Sequence, residues 1–162
     1  MCIRDRFRTI NLPAADLEAF FAQVAFSAMV RNGDGHLKNF GVLYTSAEDV
    51  RLAPMFDVVT TSIYRYERYP GGPEMEDNTM ALKLFRGKRS KTKTYPLTDE
   101  LLQFGTQVCG VTRPREVLER IAEALLETLQ AHQTDTRIPQ GLTAQLGAAW
   151  EKGMPGTRSP KA

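Results

Sequence analysis

One apolar stripe constrains the fold of this chain more than any other feature. Leu17, Phe20, Phe21, Val24, Ala25, Ala28 and Met29 recur at intervals of three and four. That spacing places them on one face of a helix, and a face so apolar must be buried. Pro13 suits the first turn of such a helix, and Asn32-Gly33 is expected to stop it, since glycine takes the left-handed conformation at little cost. A buried helix thus delivers the chain into a polar loop, Asn32 to Asn39.

Beyond that loop, Phe40 to Tyr44 reads as a short strand, Thr45 to Asp49 as a turn and Val50 to Ala53 as the returning strand. Pro54 closes the hairpin, and Asp57 follows between apolar neighbours, Met55-Phe56 and Val58-Val59. From Tyr64 to Pro96 the chain is polar and rich in Pro and Gly, with Met80 to Phe85 as its one strand-like stretch. Helices then resume. Thr98 is placed to cap one that runs to about Val108. A second begins near Pro114, with Leu118, Ile121, Ala122, Leu125, Leu126 and Leu129 on one face, and a weaker one covers about Leu142 to Lys152 with Trp150. The expectation is a mainly α protein with a small β-hairpin, an α+β fold. One domain over residues 7–152 precedes a disordered tail over 153–162.

Composition narrows the function classes. The 21 basic and 19 acidic side chains leave a net charge of +2, which demands neither nucleic acid nor a membrane as partner. Cys2 and Cys109 make no disulfide framework, and with His36 and His132 as the only histidines a Cys/His zinc site is not expected. The most apolar run, Phe20 to Val30, is too short to span a bilayer. With no leader-like start, a cytoplasmic location is expected. Met1 to Arg6 reads like a translated sequencing-adaptor tail, so the chain is expected to be a truncated piece, and those residues carry no functional weight.

The chemistry is concentrated in Gly33-Asp34-Gly35-His36-Leu37-Lys38-Asn39, where an Asp precedes an Asn by five positions. Kinase catalytic loops use this spacing, because a tight loop can aim a carboxylate at a substrate hydroxyl and an amide oxygen at magnesium. Magnesium also wants a second hard oxygen ligand, and the hairpin can return Asp57 beside Asn39. Alone, the spacing carries little: with eight Asp and four Asn it arises readily by chance, and Asn-Gly-Asp-Gly is also a good surface turn. His36 reads as a hydrogen-bonding loop residue rather than a base, and Lys38 either offsets phosphate charge or is simply solvated.

Taken together, Gly33-Asp34-Gly35-His36-Leu37-Lys38-Asn39-Phe40 and Arg51-Leu52-Ala53-Pro54-Met55-Phe56-Asp57 resemble the C-terminal domain of the HipA-like toxin kinases. That family's pattern is Asp-x-His-x-Lys-Asn-Phe, a hairpin, then Leu-x-Pro-x-Tyr-Asp. Ala81-Leu82-Lys83-Leu84 resembles the strand that follows the metal-binding loop, and the likeness extends over about residues 14–135. It implies a protein-kinase-like C-terminal helical lobe of a serine/threonine protein kinase, the toxin of a toxin–antitoxin pair. By position it makes Asp34 the catalytic residue. His36, Leu37, Lys38, Asn39, Phe56 and Asp57 would line the ATP site, with Asn39 and Asp57 on Mg2+. The implied partners are a protein substrate and a DNA-binding antitoxin.

Two departures bear on activity. Phe56 stands where the family often has Tyr, which keeps the ring and loses a hydroxyl. No Gly-rich phosphate loop or strand lysine precedes Asp34, and Lys83 comes too late for that role, so the chain alone is expected to transfer no phosphate. Two other readings stay open, a small-molecule phosphotransferase of the aminoglycoside or choline type and a non-catalytic partner-binding module. Arg86 to Lys93 has five cations in eight positions. It is expected to be a solvated loop, with direct nucleic-acid contact as the less favoured reading.

Overall fold

In a computed structural model of the chain, residues 12–46, 48–85 and 94–155 are described. The basic stretch Arg86 to Lys93, the segment Met1 to Arg6 and the tail over 156–162 lie outside them.

The apolar stripe forms helix α1 (Ala14–Met29), with Pro13 as its N-cap and the Pro13 carbonyl accepting the Asp16 and Leu17 amides. Phe20, Phe21, Val24, Ala25, Ala28 and Met29 are buried as the spacing requires, while Leu17 is half-buried at the rim. Next come a 3-10 turn (Leu37–Asn39) and two paired strands, β1 (Val42–Tyr44) and β2 (Val50–Leu52). The strands are antiparallel, with Leu43 opposite Arg51. Two side chains of α1 fasten this hairpin. Asp16 accepts the Leu52 amide at 2.9 Å, and Gln23 donates to the Ala53 carbonyl at 3.0 Å.

A second 3-10 turn (Thr61–Ile63) leads to another antiparallel hairpin, β3 (Arg65–Glu67) with β4 (Glu74–Glu76). This hairpin was not legible in the sequence. Arg65, Tyr66 and Glu67 are all exposed, so β3 shows no alternation of apolar and polar residues to signal a strand. Conversely, the expected strand over Met80 to Phe85 has no ladder among the described residues, whose nearest pairing is an isolated bridge between Thr79 and Thr94. It nevertheless buries Met80, Leu82 and Leu84 and exposes Ala81 and Lys83, the alternation an extended segment makes on a core.

Helices α2 (Thr98–Gln107), α3 (Pro114–Ala131) and α4 (Leu142–Glu151) complete the chain. The N-cap of α2 is Leu97 rather than Thr98, and Glu100 accepts the Leu97 amide at 2.9 Å. On α3, Val117, Leu118 and Leu125 are buried, but Leu126 is exposed and does not belong to the core face. Helices α1, α2 and α3 pack around Phe20 and Phe104, whose rings meet edge to face at 6.2 Å, with Phe40 and Phe85 completing the aromatic chain. Cys109 lies in this core, and burial pushes its thiol up to about 12, so it stays protonated.

The chain after α4 turns back onto α1. The Gly153 and Met154 amides donate to the Trp150 carbonyl, and an added side chain at Gly153 would clash with the Met29 backbone. Gly153 and Met154 thus belong to the packed structure, where the expected disordered tail would have begun. The mainly α, α+β architecture is as the sequence implies, with two hairpins rather than one among the described residues. Among the described residues no helix is long and apolar enough to cross a membrane.

Candidate functional site

The loop after α1 begins with a helix stop that falls earlier than Asn32-Gly33. The Asn32 amide reaches back to the Ser27 carbonyl at 2.9 Å and the Arg31 amide to Ala28 at 3.3 Å, a Schellman arrangement in which Arg31 takes the left-handed position. Its φ is +60°, a conformation costing about 1–2 kcal/mol for a residue with a Cβ. Buried contacts offset that cost. The guanidinium lies 3.7 Å over the Tyr95 ring, and Nη2 donates to Asn78 Oδ1 at 2.8 Å. Burial also pushes the Tyr95 phenol above its ordinary value, with a counteracting hydrogen bond to Thr61.

Gly33 has another reason to be glycine: it is crowded. A Cβ there would lie 2.6 Å from both Thr61 Oγ1 and the Thr79 carbonyl oxygen. The backbone is gripped on both sides, with the Gly33 amide donating to Thr61 Oγ1 at 2.8 Å and its carbonyl accepting the Ala81 amide at 2.9 Å. The loop therefore leaves the core with the Asn32 and Gly33 backbone paired, and presents Asp34 to solvent.

Asn39 closes the loop. It is buried, and its amide is oriented by two opposite demands: the His36 backbone N–H donates to Oδ1 at 3.0 Å, while Nδ2 donates to Asp57 Oδ2 at 2.6 Å. The hairpin thus returns Asp57 beside Asn39, as its placement in the sequence suggested. Asp57 itself is exposed and has a φ of +56°, a left-handed conformation that Asp tolerates better than most residues. Left-handed residues at both Arg31 and Asp57 bracket the segment in which the candidate chemistry lies.

The remaining site residues divide by exposure. Leu37 and Lys38 point outward from the 3-10 turn, and Phe56 is about half exposed near Gly41. His36 is half-buried, and its Nδ1 is buried with no hydrogen-bond partner among the described residues. The structure brings Asn39 and Asp57 into contact and joins His36 to Asn39 through the backbone. It shows no contact from Asp34 to either carboxamide or carboxylate.

Thr61 was missed by sequence reasoning, as was Arg31. A threonine four residues past Asp57 carries no motif, and nothing in Arg31-Asn32-Gly33 distinguishes which residue turns left-handed.

As a donor set, Asn39 and Asp57 suit a hard divalent cation. Asp57 has carboxylate oxygens and Asn39 an amide oxygen, the ligand types Mg2+ takes alongside several waters, although here it is Nδ2 of Asn39 that faces Asp57 while Oδ1 faces the His36 amide. Among the described residues no cluster of three or more His, Cys, Asp or Glu forms a competing metal centre.

Comparison with known proteins bears on the family of the chain. A 55-residue stretch is 34% identical to "Putative kinase Y4dM" of Sinorhizobium fredii, covering 34% of this chain and only 13% of that protein's length. The family model described as the HipA-like C-terminal domain matches residues 2–133. With that match over most of its length, the chain belongs to the HipA-like C-terminal domain family.

Proposed function

We propose that this chain is the C-terminal catalytic lobe of a HipA-like serine/threonine protein kinase, the toxin of a toxin–antitoxin pair. The intact enzyme would move the γ-phosphoryl of Mg-ATP to a protein hydroxyl. The observation that carries this reading is the 2.6 Å hydrogen bond joining Asn39 to Asp57 at the foot of the loop that exposes Asp34. Family membership and the kinase-named relative support a kinase-like phosphotransferase.

In this reading the Asp34 carboxylate accepts the hydrogen bond of the substrate hydroxyl and orients it for attack. Asn39 and the Asp57 carboxylate would hold Mg2+, which would supply charge neutralisation on the phosphates. Asn39 also keeps the His36 amide paired, so the metal side of the loop stays fixed. His36, Leu37, Lys38 and Phe56 line the nucleotide, with Lys38 free to approach phosphate from the exposed face. Catalysis is then mostly positioning and charge compensation.

Asp34→Asn in the intact kinase tests the reading. Phosphotransfer should fall by about 100- to 10,000-fold, the usual worth of a positioned acid–base group, with the melting temperature unchanged. Transfer at a near wild-type rate would sink it.

A second reading has one observation in its favour. Leu43, Tyr44, Phe56, Val58 and Val59 are exposed around the hairpin and the Asp57 segment, more apolar surface than a solvated catalytic rim needs. The lobe would then act as a partner-binding module, with a DNA-binding antitoxin as the partner the family suggests. Binding to such a partner that survives Asp34→Asn and Asp57→Asn together, with no phosphotransfer in the wild type, would favour it. A small-alcohol phosphotransferase is separated from the protein kinase by offering the intact enzyme both acceptor types.

A further inference from the structure

Thr61 sits where the two candidate segments meet. Its amide donates to the Arg31 carbonyl at 3.1 Å, and its hydroxyl lies 3.1 Å from the same oxygen while accepting the Gly33 amide at 2.8 Å. A hydroxyl has one proton to give and lone pairs to receive, so both bonds form at once. One side chain thereby clasps the residues on either side of Asn32, and Asp34 is the next residue after Gly33.

The same residue stands four positions after Asp57, at the start of the 3-10 turn Thr61–Ile63. That turn is anchored from behind. Trp150 Nε1 of α4 donates to Thr60 Oγ1 at 2.9 Å, and the Tyr64 amide closes onto the Thr61 carbonyl. The Tyr95 hydroxyl also donates to the Arg31 carbonyl at 2.8 Å, so three donors converge on the turn that opens the loop. No slack remains at Gly33, where a methyl group would strike the Thr61 hydroxyl.

We propose that Thr61 is a positioning residue that sets the direction of the Asp34 loop relative to the Asn39–Asp57 pair. The inference rests on the kinase reading for its catalytic consequence and on the hydrogen bonds for its mechanism. Thr61 touches no reacting atom. It couples the two candidate segments, because a shift of the Thr61–Ile63 turn is passed directly to the backbone amide one residue before Asp34.

Two substitutions in the intact kinase test it, Thr61→Val and Thr61→Ser. Valine keeps the branched shape and loses the hydroxyl, whereas serine keeps the hydroxyl. The readouts are amide hydrogen exchange at Gly33, steady-state kinetics and the melting temperature. With valine, Gly33 exchange should quicken about ten-fold and kcat should fall about 10- to 100-fold, the scale of a small misplacement. KM for ATP should hardly move, the melting temperature should fall by a few degrees because the buried Gly33 amide loses its acceptor, and serine should restore all three affected readouts. Unchanged Gly33 exchange in Thr61→Val would overturn the clasp. Faster exchange with wild-type kcat, or a serine variant as impaired as valine, would overturn the positioning role. Retained activity in Asp34→Asn fails the kinase reading instead, and is told apart because exchange at Gly33 needs no activity.

Discussion

The segment that carries Asp34 and the segment that carries Asp57 are held in opposite ways. Around Asp34, Arg31, Asn32, Gly33, Gly35 and Asn39 are buried, and the Gly33 backbone is paired through both its amide and its carbonyl. From Phe56 to Val59 the chain is exposed, and the 2.6 Å hydrogen bond from Asn39 is its direct side-chain tie to the loop. Buried amides and carbonyls must find protein partners, so the first segment is locked by its own burial. Water can satisfy the second, so a single side chain suffices to place its carboxylate. On the proposed function, Asp34 would be the acid that must be aimed and Asp57 the one that meets a hydrated ion.

The largest effect should come from crowding the locked segment. Gly33→Ala drives a methyl to within 2.6 Å of Thr61 Oγ1 and the Thr79 carbonyl, and should cost about 3 kcal/mol in urea unfolding. An unchanged midpoint would mean the loop is as yielding as the Asp57 segment, and the comparison would fail.

Asn39→Ala removes the direct side-chain link between the segments. It leaves the His36 amide without its acceptor and Asp57 without its donor, for a loss of about 2 kcal/mol. A loss much smaller than that, read from the same unfolding curves, would show that the two segments hold their places independently.

Tyr95→Phe keeps the ring under Arg31 and removes the hydroxyl bond to the Arg31 carbonyl, costing about 1 kcal/mol at neutral pH. It also has a pH signature. Burial holds the folded Tyr95 phenol above its ordinary value, so the unfolded chain ionises first. The phenol's contribution is complete below about pH 10 and is lost as pH rises through the folded value. Cys109, raised from 9.0 to about 12, adds a loss that starts lower, near pH 9. Stability of the wild type should therefore fall more steeply above about pH 10 than that of Tyr95→Phe. Parallel curves would count against a buried phenol.

The smallest effects belong to the exposed segment. Phe56→Ala and Asp57→Asn should each change stability by no more than about 0.5 kcal/mol. Asparagine is at ease in the left-handed conformation that Asp57 adopts. On the proposed function, the second substitution should still weaken Mn2+ binding in a titration of the intact protein, and undiminished binding would remove Asp57 from the proposed metal site.

Much of the framework was legible because it follows from local spacing. The three- and four-residue recurrence in α1 and α3 and the run Val42–Leu52 between turn residues specify elements without reference to the rest of the chain. The Asn39–Asp57 contact was legible at one remove, since a short hairpin between two residues brings its ends together. The hairpin β3–β4 was not, because both its strands lack an apolar face. Leu126 misled for the converse reason: helical spacing assigns a face but not how far the neighbouring helix covers it.

The sequence by itself determined that a buried helix ends in an Asp34–Asn39 loop and that a short hairpin carries Asp57 back toward it. Periodicity and loop length are properties of the local chain, and they need no partner to act. Only the tertiary structure decided that Arg31 takes the left-handed turn, that Thr61 grips the backbone on both sides of Asn32, and that Trp150 of α4 steadies the turn beside them. Those choices depend on which donors and acceptors are left unpaired once the helices have packed. That tally is set by residues 28 to 90 positions apart in the chain, and no local pattern records it.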